Sequence, residues 1–264
     1  MSLPAIASEA RRIVEQAALE PSAKEDVLRA LAKNGTATPP FLLALGLEAK
    51  LSPALVLTRA TGVHLNIVAL QVMDDIADGD CDYLDPAEGA GTAAQYLLQN
   101  LSWAALLDAG LPVAVLRAVA LELAGGGSAQ SLEVRTEKFS SRAARAMAEG
   151  FGGRHYGAYF RLMLHGSAYE AEAAALGYAL GIGVAISSDL ASNDPRVMSL
   201  SRTERAEIIS WALAATARAS HTTLGCVRAM LDRIDIQLLR AFSLLADAPD
   251  RCGAHQVAAR SASG

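Results

Sequence analysis

Cysteine is scarce. Cys81, Cys226 and Cys252 are far apart, with no CxxC pair and no partnering histidine cluster. That argues against a disulfide framework and a thiolate zinc site, and makes a reducing, cytoplasmic environment the expectation. Basic charge is short too: 23 Lys and Arg stand against 28 Asp and Glu, a net charge of −5, so no overall field draws the chain onto nucleic acid or anionic lipid. The longest greasy stretch, Ala173 to Ser187, falls below the roughly 20 residues of a membrane span, and other apolar runs are broken by Arg59, Asp108 or Arg117. Glu9, Arg11 and Arg12 stand where a secretory signal would be apolar. A soluble protein with no transmembrane segment and no nucleic-acid partner is expected. Alternating β-branched residues are nearly missing, so no strands are expected either.

What is present is apolar and helix-forming. Of 264 residues 52% are hydrophobic, and mean hydropathy is +0.25, enough for a substantial core. Alanine and leucine recur at three- and four-residue steps, which predicts helices over 6–19, 23–33, 40–51, 54–78, 88–109, 112–123 and 130–136. Further helices are predicted over 140–149, 154–165, 168–190, 202–219 and 221–245. Pro53 and Pro112 mark helix starts, while Gly79 and Gly125 to Gly127 mark helix ends. Short connections imply antiparallel packing. The expectation is an all-α single domain over 1–246, an antiparallel bundle around a central cavity, with 247–264 as a loose tail rich in small residues.

The chemistry concentrates in Asp74-Asp75-Ile76-Ala77-Asp78-Gly79-Asp80. On a helix, Asp74, Asp75 and Asp78 share one turn. They sit at a helix C-terminus, where the macrodipole disfavours anions by about 0.3–1 kcal/mol each. With about 6 Å between Asp74 and Asp78 and an effective dielectric of about 20, their repulsion is roughly 3 kcal/mol. A divalent cation reverses that sign, and oxygen-only ligands on a rigid helix suit Mg²⁺ sharing its shell with phosphate. The competing reading is a solvated acidic helix end, which the apolar run from Ala54 to Met73 disfavours. His64 and Gln71 fall on the same stripe and are candidates for the pocket wall, although a histidine in an apolar helix is often a core residue.

A long helix ending in this motif and followed by GTAAQYLLQNLSWAALL resembles the trans-isoprenyl diphosphate synthase superfamily. Later landmarks occur in the family's order: Gln130 after a Gly-rich break, GGRHYGAYF at Gly152 to Phe160, and LGYALGIGVAISSDLASND at Leu176 to Asp194. The resemblance implies an all-α isoprenoid synthase fold in which two acidic motifs face each other and hold Mg²⁺ on an allylic prenyl diphosphate. Ionisation then leaves a carbocation in a greasy cavity. Carried over, it makes Asp74, Asp75 and Asp78 catalytic and metal-binding, with Asp189, Ser188, Ser192 and Asn193 as the second metal side. Arg154 and Gln130 become diphosphate-binding. Asn100, Trp103, Tyr156 and Phe160 join His64 and Gln71 at the pocket, where Trp103, Tyr156, Tyr159 and Phe160 offer π faces or serve as core. The resemblance also implies a homodimer.

The departures shape the function expected. Chain-elongating members hold a second diphosphate on a Gly-Lys-Arg-x-Arg-Pro loop, where this chain has Gly35-Thr36-Ala37-Thr38-Pro39. The paired arginines after the first motif are replaced by Cys81-Asp82-Tyr83, and the second motif shrinks to Ser188-Asp189-Leu190-Ala191-Ser192, with Arg196 where class I terpene synthases carry glutamate. The reading is a class I terpene synthase-like enzyme using one allylic diphosphate. The alternatives are chain elongation, and a catalytically silent subunit that forms a heteromer with an active synthase.

Overall fold

A computed structural model describes residues 4–34, 38–136 and 138–247, apart from the side chains of 4, 38, 130–135, 246 and 247. The tail 248–264 and Gly35 to Ala37 of the loop lie outside the described residues, as does the Gln130 side chain. All regular elements among the described residues are helical: α1 (Pro4–Gln16), α2 (Pro21–Asn34), α3 (Thr38–Glu48), α4 (Pro53–Asp78), α5 (Ala87–Asp108), α6 (Val113–Arg135), α7 (Ser141–Met147), α8 (His155–Leu164), α9 (Ala173–Ser192), α10 (Pro195–Ser199), α11 (Arg202–Ala217) and α12 (Gly225–Asp247). They make one all-α domain.

α4 is the axis of the bundle. Ser52 accepts a hydrogen bond from the Leu55 N–H and Pro53 presets the first turn, while Gly79 at φ 79° stops the helix in the left-handed conformation. Val56, Ala60 and Val63 enter the larger core with α3 and α8–α12, whereas Leu65, Val68, Ala69 and Val72 enter a second core with α1, α2 and α5. By length and composition α4 and α9 both meet the requirement for a membrane span, α9 reaching 20 residues because it runs on to Ser192. In the bundle, 67% and 56% of their most apolar windows are buried, the pattern of core helices.

Two predicted breaks turn out to be continuous helix. α6 runs through Gly125 to Gly127, because a side chain at Gly125 or Gly126 would collide with Arg154 or His155, which pack on its backbone. That contact outweighs the helix cost of glycine, about 1 kcal/mol per residue. The glycines at 150, 152 and 153 likewise interrupt nothing: α7 passes into α8 through a π-helical segment, Ala148–Arg154. Conversely, the predicted helix over 168–190 begins only at Ala173, since Gly166 at φ 76° and the Glu170 carboxylate, bonded to the Gly166 N–H and His165, hold 166–172 in turns. α10 is a helix that the periodicity does not announce; Asp194 caps it by accepting from the Arg196 and Val197 N–H groups.

Gly152 and Gly181 set the antiparallel register of α8 and its π-helical lead against α9. A Cβ on Gly181 would lie 2.2 Å from the Gly152 carbonyl oxygen. Gly181→Ala should therefore destabilise the fold by about 1–3 kcal/mol in urea titration, whereas Gly127→Ala, which meets nothing within 4 Å, should stabilise it by up to about 1 kcal/mol. Equal effects would show that this close approach is not a constraint.

Candidate active site

The C-terminal turns of α4 and α9 are the two acidic lips of the candidate site. Asp74 is half-buried on α4, and Asp189 is half-buried on α9. The Asp189 carboxyl is pushed up from an ordinary 3.8 to about 7, first by burial, then by the negative charges of Asp194 and Asp74. An influence of Asp74 on Asp189 requires the two acidic helix ends to lie near each other.

The three aspartates of α4 divide by direction. The Asp75 Oδ2 accepts from the Tyr83 hydroxyl at 2.7 Å and from Asn34 Nδ2 at 3.2 Å, so it ties α4 to the end of α2 and to the following loop. Asn34 also reaches the Tyr83 oxygen at 3.0 Å, and Lys33 stands over the Tyr83 ring at 5.7 Å. The Tyr83 hydroxyl is held well above its ordinary range, by burial first and then by the Asp75 bond. Asp78 is exposed at the rim.

On the α9 side, Ser188 is exposed, and the Ser192 hydroxyl donates to the Asp189 carbonyl at 3.2 Å. Asn193 closes the helix at φ 56°. Asp194, which sequence alone leaves outside the site, is engaged as the α10 cap and in an ion pair with Arg196 at 2.7 Å. Arg154 is exposed beside Gly125 of α6 and Tyr178 of α9. Its neighbour Gly152 packs on Gly181, eight positions before Asp189 and so about 12 Å down α9.

The pocket candidates also divide. His64 is buried, its imidazole pushed down to about 4 by burial, and its Nδ1 has no partner; Gln71 is half-buried with Oε1 likewise unpartnered. Trp103 packs on the larger core and Phe160 is buried against Phe41, their ring centroids 5.9 Å apart. Tyr156 is half-buried on α8. Asn100 lies on the outer face of α5, exposed, with its amide donating to the Tyr96 carbonyl at 2.7 Å, which removes it from the interior. Sequence reading passes over Asn34 and Asn66; an amide inside the most apolar helix is a usable signal for the second. Two cavities lie away from the aspartates: an open groove of about 500 Å³ between α7, α11 and α12, and a polar recess of about 210 Å³ between α1, α4 and α5.

Residues on both lips suit a divalent cation in kind. Asp189 is unfavourable as an anion without a counter-charge, and each facing helix end offers carboxylate oxygen. Among the described residues, no three His, Cys, Asp or Glu side chains converge into a closed metal cage.

The chain has the all-α fold of the trans-isoprenyl diphosphate synthases, with one acidic turn at the C-terminus of α4 and another at that of α9. It is similar to a geranyltransferase from Legionella pneumophila, with TM-score 0.69 and 16% identity over 89% of this chain and 93% of that one. A geranyltranstransferase from Thermotoga maritima gives TM-score 0.67 and 16% identity over 89% and 96% of the two chains. A geranylgeranyl pyrophosphate synthetase from Pyrococcus horikoshii gives 0.62 and 16% over 92% and 82%. No family model matches the chain, and no curated protein matches it by sequence.

The Asp189 shift fixes a pH dependence. Below about pH 4 folded and unfolded chains both hold the proton; between about pH 4 and 7 only the folded chain does, so stability falls as pH rises, and above about pH 7 the whole penalty is present. Asp189→Asn should melt above wild type at pH 8, by on the order of a few kcal/mol, and the gap should close near pH 4. A gap independent of pH would show that Asp189 is not desolvated.

Proposed function

We propose that this chain is a Mg²⁺-dependent isoprenoid synthase that ionises an allylic prenyl diphosphate between Asp74 and Asp189. The observation that supports it is the nearness of the two acidic helix ends, close enough that the charge of Asp74 adds to burial and Asp194 in raising the Asp189 carboxyl. Asp74, Asp78 and Asp189 are the ligands proposed for Mg²⁺, with Ser188, Ser192 and Asn193 as further oxygen donors at the α9 end. Bound there, the ion supplies charge neutralisation for the departing diphosphate. Asp75 plays a different part. Held by Tyr83 and Asn34, it fixes the α4 terminus so that Asp74 keeps its aim at α9. Ile67, Leu70 and Tyr156 line the cleft below and exclude the water that would quench a cation.

Two fates of that cation have support. The similar structures are named as prenyl-transferring enzymes, which favours condensation with a second, isopentenyl substrate. The Asn34–Asp75–Tyr83 latch favours a single substrate, because it fills the end of α2 with mutually satisfied groups where a second diphosphate would need cations. The reading includes a soluble cytoplasmic homodimer, for which exposed Tyr96, Leu107, Val113 and Leu121 on α5 and α6 offer an apolar face.

Incubated with geranyl, farnesyl or geranylgeranyl diphosphate and Mg²⁺, the protein should release diphosphate, and chelation should abolish release. Asp74→Ala should lower kcat by about 10²-fold or more. Product growth on adding isopentenyl diphosphate assigns elongation, while hydrocarbon or alcohol from the allylic substrate alone assigns the single-substrate fate. No metal-dependent release from any of the three overturns the reading.

A further inference from the structure

Toward the end of α4 remote from the aspartates, Thr61 is fully buried, and its hydroxyl has no hydrogen-bond partner among the described residues. Thr58, one turn earlier, shows the ordinary solution for a helical threonine, its hydroxyl donating to the Ala54 carbonyl at 3.1 Å. Thr61 makes no such bond, and an unmet buried hydroxyl costs about 1–3 kcal/mol. Thr61 lines the polar recess of about 210 Å³ between α1, α4 and α5, together with Glu9, Arg12, Thr58 and Asp108. That volume is below the roughly 300 Å³ of pockets for drug-sized ligands, so the recess suits a smaller molecule.

The charges around the recess do not cancel. Arg12 is engaged, with its Nε and Nη2 on the Glu9 carboxylate and its Nη1 on Gln16 Oε1. The Glu9–Arg12 pair is neutral, which leaves Asp108 as the excess charge. Asp108 is exposed in the last turn of α5, where the negative end of the helix dipole adds to its own charge. Gly62, next to Thr61, packs against Leu106 of α5, so Thr61 stands near the level of Ala105, and Asp108 follows three positions, about 4.5 Å, farther along. Ile13 and Ala105 are the apolar part of the lining.

We propose that this recess binds a short amino alcohol in its ammonium form, with the charged nitrogen on Asp108, the carbon chain against Ile13 and Ala105, and the hydroxyl paired with Thr61. The ligand answers each unmet feature of the recess with one of its parts: the excess negative charge, the apolar wall and the orphaned hydroxyl. A nitrogen and an oxygen separated by three carbons span about 5 Å, the size of the step from the level of Thr61 to that of Asp108. Bound there, the molecule joins α1 to α4 and α5. Thr61 lies thirteen positions before Asp74, about 20 Å along α4, so the site is separate from the acidic lips and does not depend on the activity proposed for them.

The test is calorimetric titration of the full chain with propanolamine, butylamine and hydroxypropionate. Propanolamine should bind one to one with Kd of about 1 mM or tighter. Butylamine keeps the charge and length but lacks the hydroxyl, and should bind about tenfold more weakly; hydroxypropionate, an anion of similar size, should not bind. Asp108→Asn, at an exposed position that the fold tolerates, should weaken propanolamine about tenfold or more. Thr61→Val should remove the preference for propanolamine over butylamine. A recess that takes up no amine at about 10 mM and so holds water alone, equal binding of the anion, an Asp108→Asn that binds as wild type does, or a Thr61→Val that keeps the preference overturns the proposal.

Discussion

The Asp189 carboxyl lies where burial first, and then the charges of Asp194 and Asp74, oppose its ionisation, and the arrangement of the surrounding helices keeps it there. It also ends a helix, where the dipole is negative. The rest of the bundle supplies the rigidity that holds such a group in place.

That rigidity has three sources. On the α4 side, the Asn34–Asp75–Tyr83 hydrogen bonds clamp the acidic turn to α2, so the helix end cannot swing outward to water. On the α9 side, the glycine contacts with the π-helical segment bring two backbones closer than any side chain would allow, fixing how far α9 reaches toward the lip. Arg59 adds a third tie: its buried guanidinium donates to the Met163 and His165 carbonyls and so holds the end of α8 against α4. Between these ties the Tyr159 hydroxyl donates to Asn66 and joins α8 to α4.

The departures from the prenyl synthase pattern acquire a physical meaning from these ties. Where the resembled family carries arginines after the first acidic motif, this chain has Cys81-Asp82-Tyr83, and the Tyr83 hydroxyl donates to Asp75 and ties the acidic turn to the loop that follows it. Arg154, whose place in the sequence suggested phosphate binding, sets its guanidinium beside Gly125 of α6.

Helical class, a single domain and the location of the acidic turn were legible in the sequence, because Ala/Leu periodicity, Pro and Gly punctuation and adjacent aspartates are local signals. The continuity of α6 through three glycines, the late start of α9 and the turn from α7 into α8 were not, because each is decided by what packs against the backbone. Within the site, the sequence placed Asp74, Asp75 and Asp78 on one turn but could not say that Asp75 faces away to Tyr83 and Asn34, nor that Asn100 faces outward. Composition and spacing determine which residues belong to a helix. Only the packed bundle determines the rotation and height of each helix against its neighbours, because those follow from contacts between segments distant in the chain, and on them depends which carboxylates meet.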